Sequence, residues 1–326
     1  MEYVRVGGSG LVVSRLALGM MGFGDRSRRA WHLDAGQAEP LVRAAAEAGV
    51  TLFDTADMYD GGASEEVTGK LLASVFGSRD AYVLATKVYY PTSDAPTGRG
   101  LSRKHVLAAV DASLRRLGTD HIDLYQIHRW DPDTPIAETM GVLHDVVRAG
   151  KVRYLGASSM YAWQFAQAQF TARAAGWTEF VSMQNLYNLA YREEEREMIP
   201  LCRDLGVGVL PYSPLARGLL AGTRSPTGER ATPRGGNDPL ADRHYGAGDF
   251  AVVDALAEVA AAREVPPAQV ALAWLAGRPG VVAPIVGVTR PHHLRDAVAA
   301  LDLVLDEDEV RALEAPYRPH RVLGLE

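Results

Sequence analysis

The chain has 326 residues, 47% of them hydrophobic, which is ample for a large core and fits one α/β barrel used as a single domain over 1–326. A net charge of −6 argues against a nucleic-acid or anionic-membrane surface. The single cysteine, Cys202, excludes an intrachain disulfide and a thiolate metal cluster, and reads as a small buried residue on a helix.

The chain opens with a β-hairpin pattern: apolar alternation over 3–6, a Gly-rich turn at 7–10 and a second short run at 11–13. Strand-like runs then follow at 16–18, 51–53, 82–86, 122–127, 152–155, 181–184, 206–210 and 281–286. Helical patterns lie between and after them at 37–48, 64–74, 102–117, 136–149, 162–175, 193–205, 250–263, 267–275 and 291–300. Ser64, before two glutamates, and Ser102 are expected to start helices. Gly49, Gly118, Gly150, Gly176 and Gly206 are expected to end them. Eight strands alternating with helices predict a parallel sheet closed as a (β/α)8 TIM barrel, with an N-terminal hairpin and a long loop after strand 7. That loop, 218–249, is rich in Gly, Pro, Arg and Thr and would lie on the catalytic face, where it could cover a ligand.

Four polar residues fall at or beyond strand ends: Asp54, Tyr59, Lys87 and His128. Side chains from the ends of several strands are the usual build of a barrel active site. Lys87 beside Tyr59 is expected to lower the phenol pKa and make it a proton donor near neutral pH. Asp54 would pair with Lys87 and keep it charged, and His128 would donate to the same substrate oxygen. The remaining histidines show no metal-ligand spacing, and no Gly-x-Ser-x-Gly elbow is present. The absence of Gly-x-Gly-x-x-Gly after a first strand argues against a Rossmann domain. The N-terminus has no charged-then-apolar leader, and no apolar run nears the ~20 residues that span a bilayer. A cytoplasmic enzyme is the expected class.

These segments resemble the aldo-keto reductase family: 16–20 (LALGM), 53–59 (FDTADMY), 85–87 (ATK), 126–128 (QIH), 156–159 (GASS), 183–185 (MQN), 212–220 (YSPLARGLL) and 284–294 (PIVGVTRPHHL). The chain is most similar to the bacterial and fungal branch related to aryl-alcohol dehydrogenases and potassium-channel β-subunits. The resemblance implies a catalytic tetrad on Asp54, Tyr59, Lys87 and His128, with NADPH as cofactor. Ser158, Ser159 and Gln184 would then hold the nicotinamide carboxamide, and Tyr212 would stack on the ring. Ser213, Leu215, Arg217 and Gly218 resemble a pyrophosphate loop. Gly287, Thr289 and Arg290 resemble the grip on the 2′-phosphate, and His293 and Asp296 resemble adenine-side contacts. His293 and Ala297 depart from residues common in relatives, which would loosen the adenine grip. Gly19 and Met20 would lie beside the nicotinamide ribose.

The substrate side would be lined by Trp31, Tyr89, Arg129 and Trp130, a rim suited to a small aromatic carbonyl compound. Arg129 would hold an anionic group or brace Asp131 or Asp133. Two other readings stay open: a redox-sensing NADP(H)-binding subunit of low turnover, and an isomerase or lyase with Lys87 as Schiff-base nucleophile.

Overall fold

The computed structural model describes residues 1–224 and 243–325. The segment expected to be the long loop therefore lies in large part, 225–242, outside the described residues. Strands β1 (Tyr3–Arg5) and β2 (Val12–Ser14) form the expected antiparallel hairpin. Eight parallel strands follow: β3 (Ala17–Gly19), β4 (Leu52–Asp54), β5 (Val83–Val88), β6 (Ile122–Ile127), β7 (Val152–Ser158), β8 (Phe180–Gln184), β9 (Gly208–Val209) and β10 (Ile285–Gly287). Their order in the sheet is β10-β3-β4-β5-β6-β7-β8-β9. The two ends meet where Val209 pairs with Val281. There the Val209 N–H donates to the Gly280 carbonyl (3.0 Å) and the Val282 N–H donates back to Val209 (2.8 Å). The sheet is thus the expected (β/α)8 barrel.

Between the strands run helices α1 (Ala35–Glu47), α2 (Ala63–Val75), α3 (Arg103–Leu117), α4 (Ile136–Arg148), α5 (Ala162–Ala175) and α6 (Met198–Asp204), then Phe250–Ala262, Pro267–Ala276 and Pro291–Ala299. Ser102 caps α3 by accepting the His105 N–H (3.3 Å). The five expected terminal glycines all have positive φ, from 65° to 86°.

Four details differ from the sequence reading. Ser64 is not a cap, because α2 starts from Gly62 and the Ser64 hydroxyl donates inward to the Met20 carbonyl (3.0 Å). The run 193–205 is split into a 3₁₀ turn, Glu193–Glu195, and α6. Pro200 gives the reason, since its ring would clash with the Arg196 carbonyl of a continuous helix. The last strand run is broken by Pro284, which has no N–H for the ladder, into the Val281 bridge and β10. A further helix, Glu307–Glu314, is capped by an Asp306 box that the sequence reading passed over.

The barrel interior is layered. Leu52 and Asp54 of β4 face in, while Phe53 faces out to Phe76 (5.5 Å) and Tyr82 (6.4 Å). The lower interior is apolar: Ala17, Leu52, Ala85, Leu124, Leu210 and Val282 pack on Val6, Leu11 and Val13 of the hairpin. Two residues further along β5 and β6, the inward positions are Lys87 and Gln126, paired in register. The strand period of two therefore turns an apolar floor into a polar ceiling at the C-terminal end.

Candidate active site

Lys87 is fully buried at that ceiling. Its Nζ donates to Asp54 Oδ2 (2.6 Å), to the Thr55 carbonyl (2.8 Å) and to Tyr59 Oη (3.3 Å). An ammonium has three protons, and these three acceptors use all of them. Burial alone would lower its pKa, but Asp54 and Tyr59 outweigh that and hold it above the ordinary lysine value. Lys87 is therefore a fixed cation, which removes the basis for a Schiff-base nucleophile.

Asp54 is held from both sides. Its Oδ1 accepts from Gln126 Nε2 (3.0 Å) and Gln184 Nε2 (2.9 Å). Gln184 also donates to Gln126 Oε1 (3.1 Å). Gln126 was not singled out from sequence, although a polar residue at an inward strand position was a readable signal. Gln184 has its amide nitrogen committed to this network, so the atom it offers a bound amide is Oε1.

Tyr59 is only partly buried. The expected lowering of its pKa is not found: burial raises it, and the opposing pull of Lys87 is the smaller effect. The phenol stays protonated near neutral pH. Since Lys87 already donates to Oη, the phenolic proton must point elsewhere. His128 lies one residue past β6, its ring 5.7 Å from that of Tyr59 and nearly perpendicular to it. Burial, then the Lys87 and Arg129 charges, hold its pKa well below the ordinary value. It is a neutral imidazole, with Nδ1 buried and unpartnered. The arrangement is a neutral acid and a neutral donor at the edge of a buried ion pair.

The other sequence-derived positions lie at or after the C-terminal ends of further barrel strands. Gly19 of β3 and Gly287 of β10 pair in register, and Met20 follows Gly19 directly. Ser158 ends β7, and Ser159, at φ +47°, donates to Tyr212 Oη (3.3 Å). Tyr212 is tied through its N–H to the Asn185 carbonyl (3.0 Å). Ser213, Ala216, Arg217 and Gly218 are all left-handed, with φ of 53°, 48°, 56° and 95°, around Leu215. Within it the Ala216 and Gly218 N–H groups donate to the Ser213 and Leu215 carbonyls (3.0 and 2.9 Å). Thr289 and Arg290 precede the helix Pro291–Ala299. His293 Nδ1 accepts the Thr289 N–H (3.3 Å), so it braces that segment, and Asp296 accepts from Gln269 (3.2 Å).

On the other side Tyr90 meets the His128 ring edge-on (4.9 Å) and Tyr89 lies against Tyr90 (5.2 Å). Trp31 packs on His32 (4.4 Å), and Trp130 on Trp163 of α5 (5.9 Å). Arg129 does not brace Asp131 or Asp133. It donates to the His128 carbonyl (2.7 Å) and lies over Tyr90, whereas Asp131 takes the Leu101 N–H, the Asp133 N–H and the Thr134 hydroxyl. No group of His, Cys, Asp and Glu among the described residues is arranged to hold a metal ion.

The model of the Aldo/keto reductase family matches residues 15–318. The chain belongs to the aldo/keto reductase family. Versiconal hemiacetal acetate reductase of Aspergillus parasiticus is 43% identical over 99% of this chain and 98% of its own. Two yeast proteins carrying the aryl-alcohol dehydrogenase designation are also similar. That of Schizosaccharomyces pombe is 42% identical over 99% of this chain and 97% of its own, and that of Saccharomyces cerevisiae 38% over 98% of each. This member of the family is an oxidoreductase, and such enzymes act on small-molecule carbonyl compounds. No helix among the described residues is long and apolar enough to cross a membrane.

Proposed function

We propose that this reductase converts an aldehyde or ketone to an alcohol, with NADPH as cofactor and Tyr59 as proton donor. The supporting observation is the three-way commitment of Lys87, which leaves the phenolic proton as the one donor at that oxygen free to meet a ligand. A substrate carbonyl beside Tyr59 would receive that proton as negative charge grows on its oxygen. Neutral His128 would supply a second hydrogen bond and polarise the carbonyl. Asp54 would hold Lys87 in place, and the Lys87 ammonium would fix the phenol and stabilise it as its proton leaves.

The residues fit a nicotinamide dinucleotide. The left-handed turn at Ser213–Gly218 suits a diphosphate, Gln184 Oε1 and the Ser158 and Ser159 hydroxyls suit a carboxamide, and Tyr212 suits an aromatic ring. Bound there, the cofactor would supply the hydride. Thr289 and Arg290 at a helix N-terminus favour the 2′-phosphate of NADPH. The aromatic edge formed by Tyr89 and Tyr90 beside His128 favours an aryl carbonyl compound.

The test is steady NADPH oxidation with an aromatic aldehyde, in the wild type and in Tyr59→Phe. General acid catalysis is worth roughly 10²–10⁴-fold, so kcat should fall by at least about 100-fold with the NADPH Kd unchanged. An active Tyr59→Phe enzyme would refute the assignment. Tight NADPH binding without wild-type turnover would point instead to a redox-sensing subunit.

A further inference from the structure

The backbone just after Tyr59 is unusual. Asp60, Gly61 and Gly62 are left-handed in succession, with φ of 53°, 64° and 98°. Asp is among the residues that tolerate this region, but it does so rarely without support. The support comes from the loop after β3. That loop is closed at its base, where the Gly24 N–H donates to the Leu33 carbonyl and the Leu33 N–H donates to the Gly22 carbonyl, both 2.9 Å. From within it the Asp25 N–H donates to Asp60 Oδ2 (2.5 Å), and Arg28 donates to the Asp60 carbonyl (3.1 Å). His32 Nδ1 lies 3.5 Å from the same Oδ2, and both side chains are 2% exposed. Gly24 is packed so closely on the carboxylate that a methyl group there would overlap Oδ2. The loop also carries Trp31, next to His32.

We propose that Asp60 is a positioning residue: its buried carboxylate ties the 24–33 loop to the chain immediately after Tyr59, so the phenol holds its donor position only while that loop is closed. The inference rests on Tyr59 being the proton donor. Contacts on Trp31 that settle the loop would then settle the phenol as well, linking recognition at the rim to proton donation below. Asp60 itself touches neither the Lys87 ammonium nor the substrate oxygen in this scheme; it acts through the backbone.

Four variants test this. Asp60→Asn keeps an acceptor for the Asp25 N–H and a side chain that tolerates positive φ, and should retain nearly all of kcat. Asp60→Ala loses the tie, and a displaced phenol should lower kcat by about tenfold or more with the NADPH Kd unchanged. Asp60→Gly relaxes the backbone but also lacks the tie, so it should be as slow as Asp60→Ala while folding more easily. Gly24→Ala pushes on the carboxylate from the opposite side and should reproduce the loss. A second readout is independent of turnover. Arg26, Arg28 and Arg29 are exposed, and trypsin should cut after them faster in Asp60→Ala and Asp60→Gly than in the wild type. Wild-type kcat in Asp60→Gly, or unchanged trypsin cleavage, would overturn the proposal. An active Tyr59→Phe enzyme would instead defeat the proton-donor reading on which it rests.

Discussion

At the scale of single residues, Lys87 and His128 show how burial and neighbouring charge set protonation. Lys87 remains an ammonium with no exposed surface because a carboxylate, a carbonyl and a phenol accept its three protons. His128, facing that cation with no carboxylate of its own, is driven neutral. A less obvious case is Glu194, which is buried with Asn185 Nδ2 as its hydrogen-bond donor (3.0 Å). Burial pushes its carboxyl up to about 7. A folded-state pKa above the unfolded value means that the folded chain binds the proton more tightly, so stability falls as pH rises from about 4.5 to 7. Glu194→Gln removes that charge, and its amide can donate to the buried, unpartnered Asn185 Oδ1. The variant should be more stable than the wild type at pH 8, by an amount of order 3 kcal/mol, and nearly equal at about pH 4. Thermal melts at the two pH values check this, and equal differences at both would show that Glu194 does not titrate in this window.

At the scale of elements, the candidate site is shared between strand ends and the loops just beyond them: Asp54 and Lys87 lie on β4 and β5, and Tyr59 and His128 lie past β4 and β6. Helix α2 packs so tightly on α3 that Gly69 has no room for a Cβ beside the Leu117 carbonyl. The helix Pro291–Ala299 begins with proline at its first position, and Arg290 serves as its N-cap residue. Its first turn presents the positive end of the helix dipole. If the proposed NADPH reading holds, Arg290→Ala would remove one charge-assisted contact to the 2′-phosphate, worth roughly 1.5–3 kcal/mol. NADPH should bind about tenfold or more weakly while NADH is barely affected. Titration of nucleotide fluorescence distinguishes the two, and equal losses for both would place Arg290 away from the phosphate.

At the scale of the molecule, the barrel separates stability from chemistry along its axis. The N-terminal hairpin closes the bottom. Val6 and Val13 are wholly buried against the apolar floor, and Gly7, at φ +56°, approaches the Gly206 carbonyl too closely for any side chain. Arg15 adds bonds to the Val281 and Ala276 carbonyls (3.0 and 2.8 Å), joining the start of the chain to its last third. Val6→Ala should therefore lower stability by about 1–2 kcal/mol in urea unfolding without changing kcat. Tyr3→Ala, at an exposed hairpin position, should do neither. A fall in kcat at unchanged stability for Val6→Ala would show that floor and active end are coupled.

By itself the sequence determined the order and kind of the elements, because period-two and period-3.6 apolar patterns and terminal glycines are local signals. It also placed Asp54, Tyr59, Lys87 and His128 at strand ends, where a barrel gathers its side chains. What it could not show depends on neighbours distant in the chain. The pKa of Tyr59 rises because burial outweighs a lysine 28 positions away. Ser64 turns from cap to strut because the Met20 carbonyl lies within reach, 44 positions distant. Asp60 stands out only once the loop after β3 folds back onto it, since no local pattern marks a carboxylate whose partners are 35 and 28 residues upstream. Local pattern fixed where each group stands on its strand or loop, and tertiary packing decided its charge, its partners and the freedom of its proton.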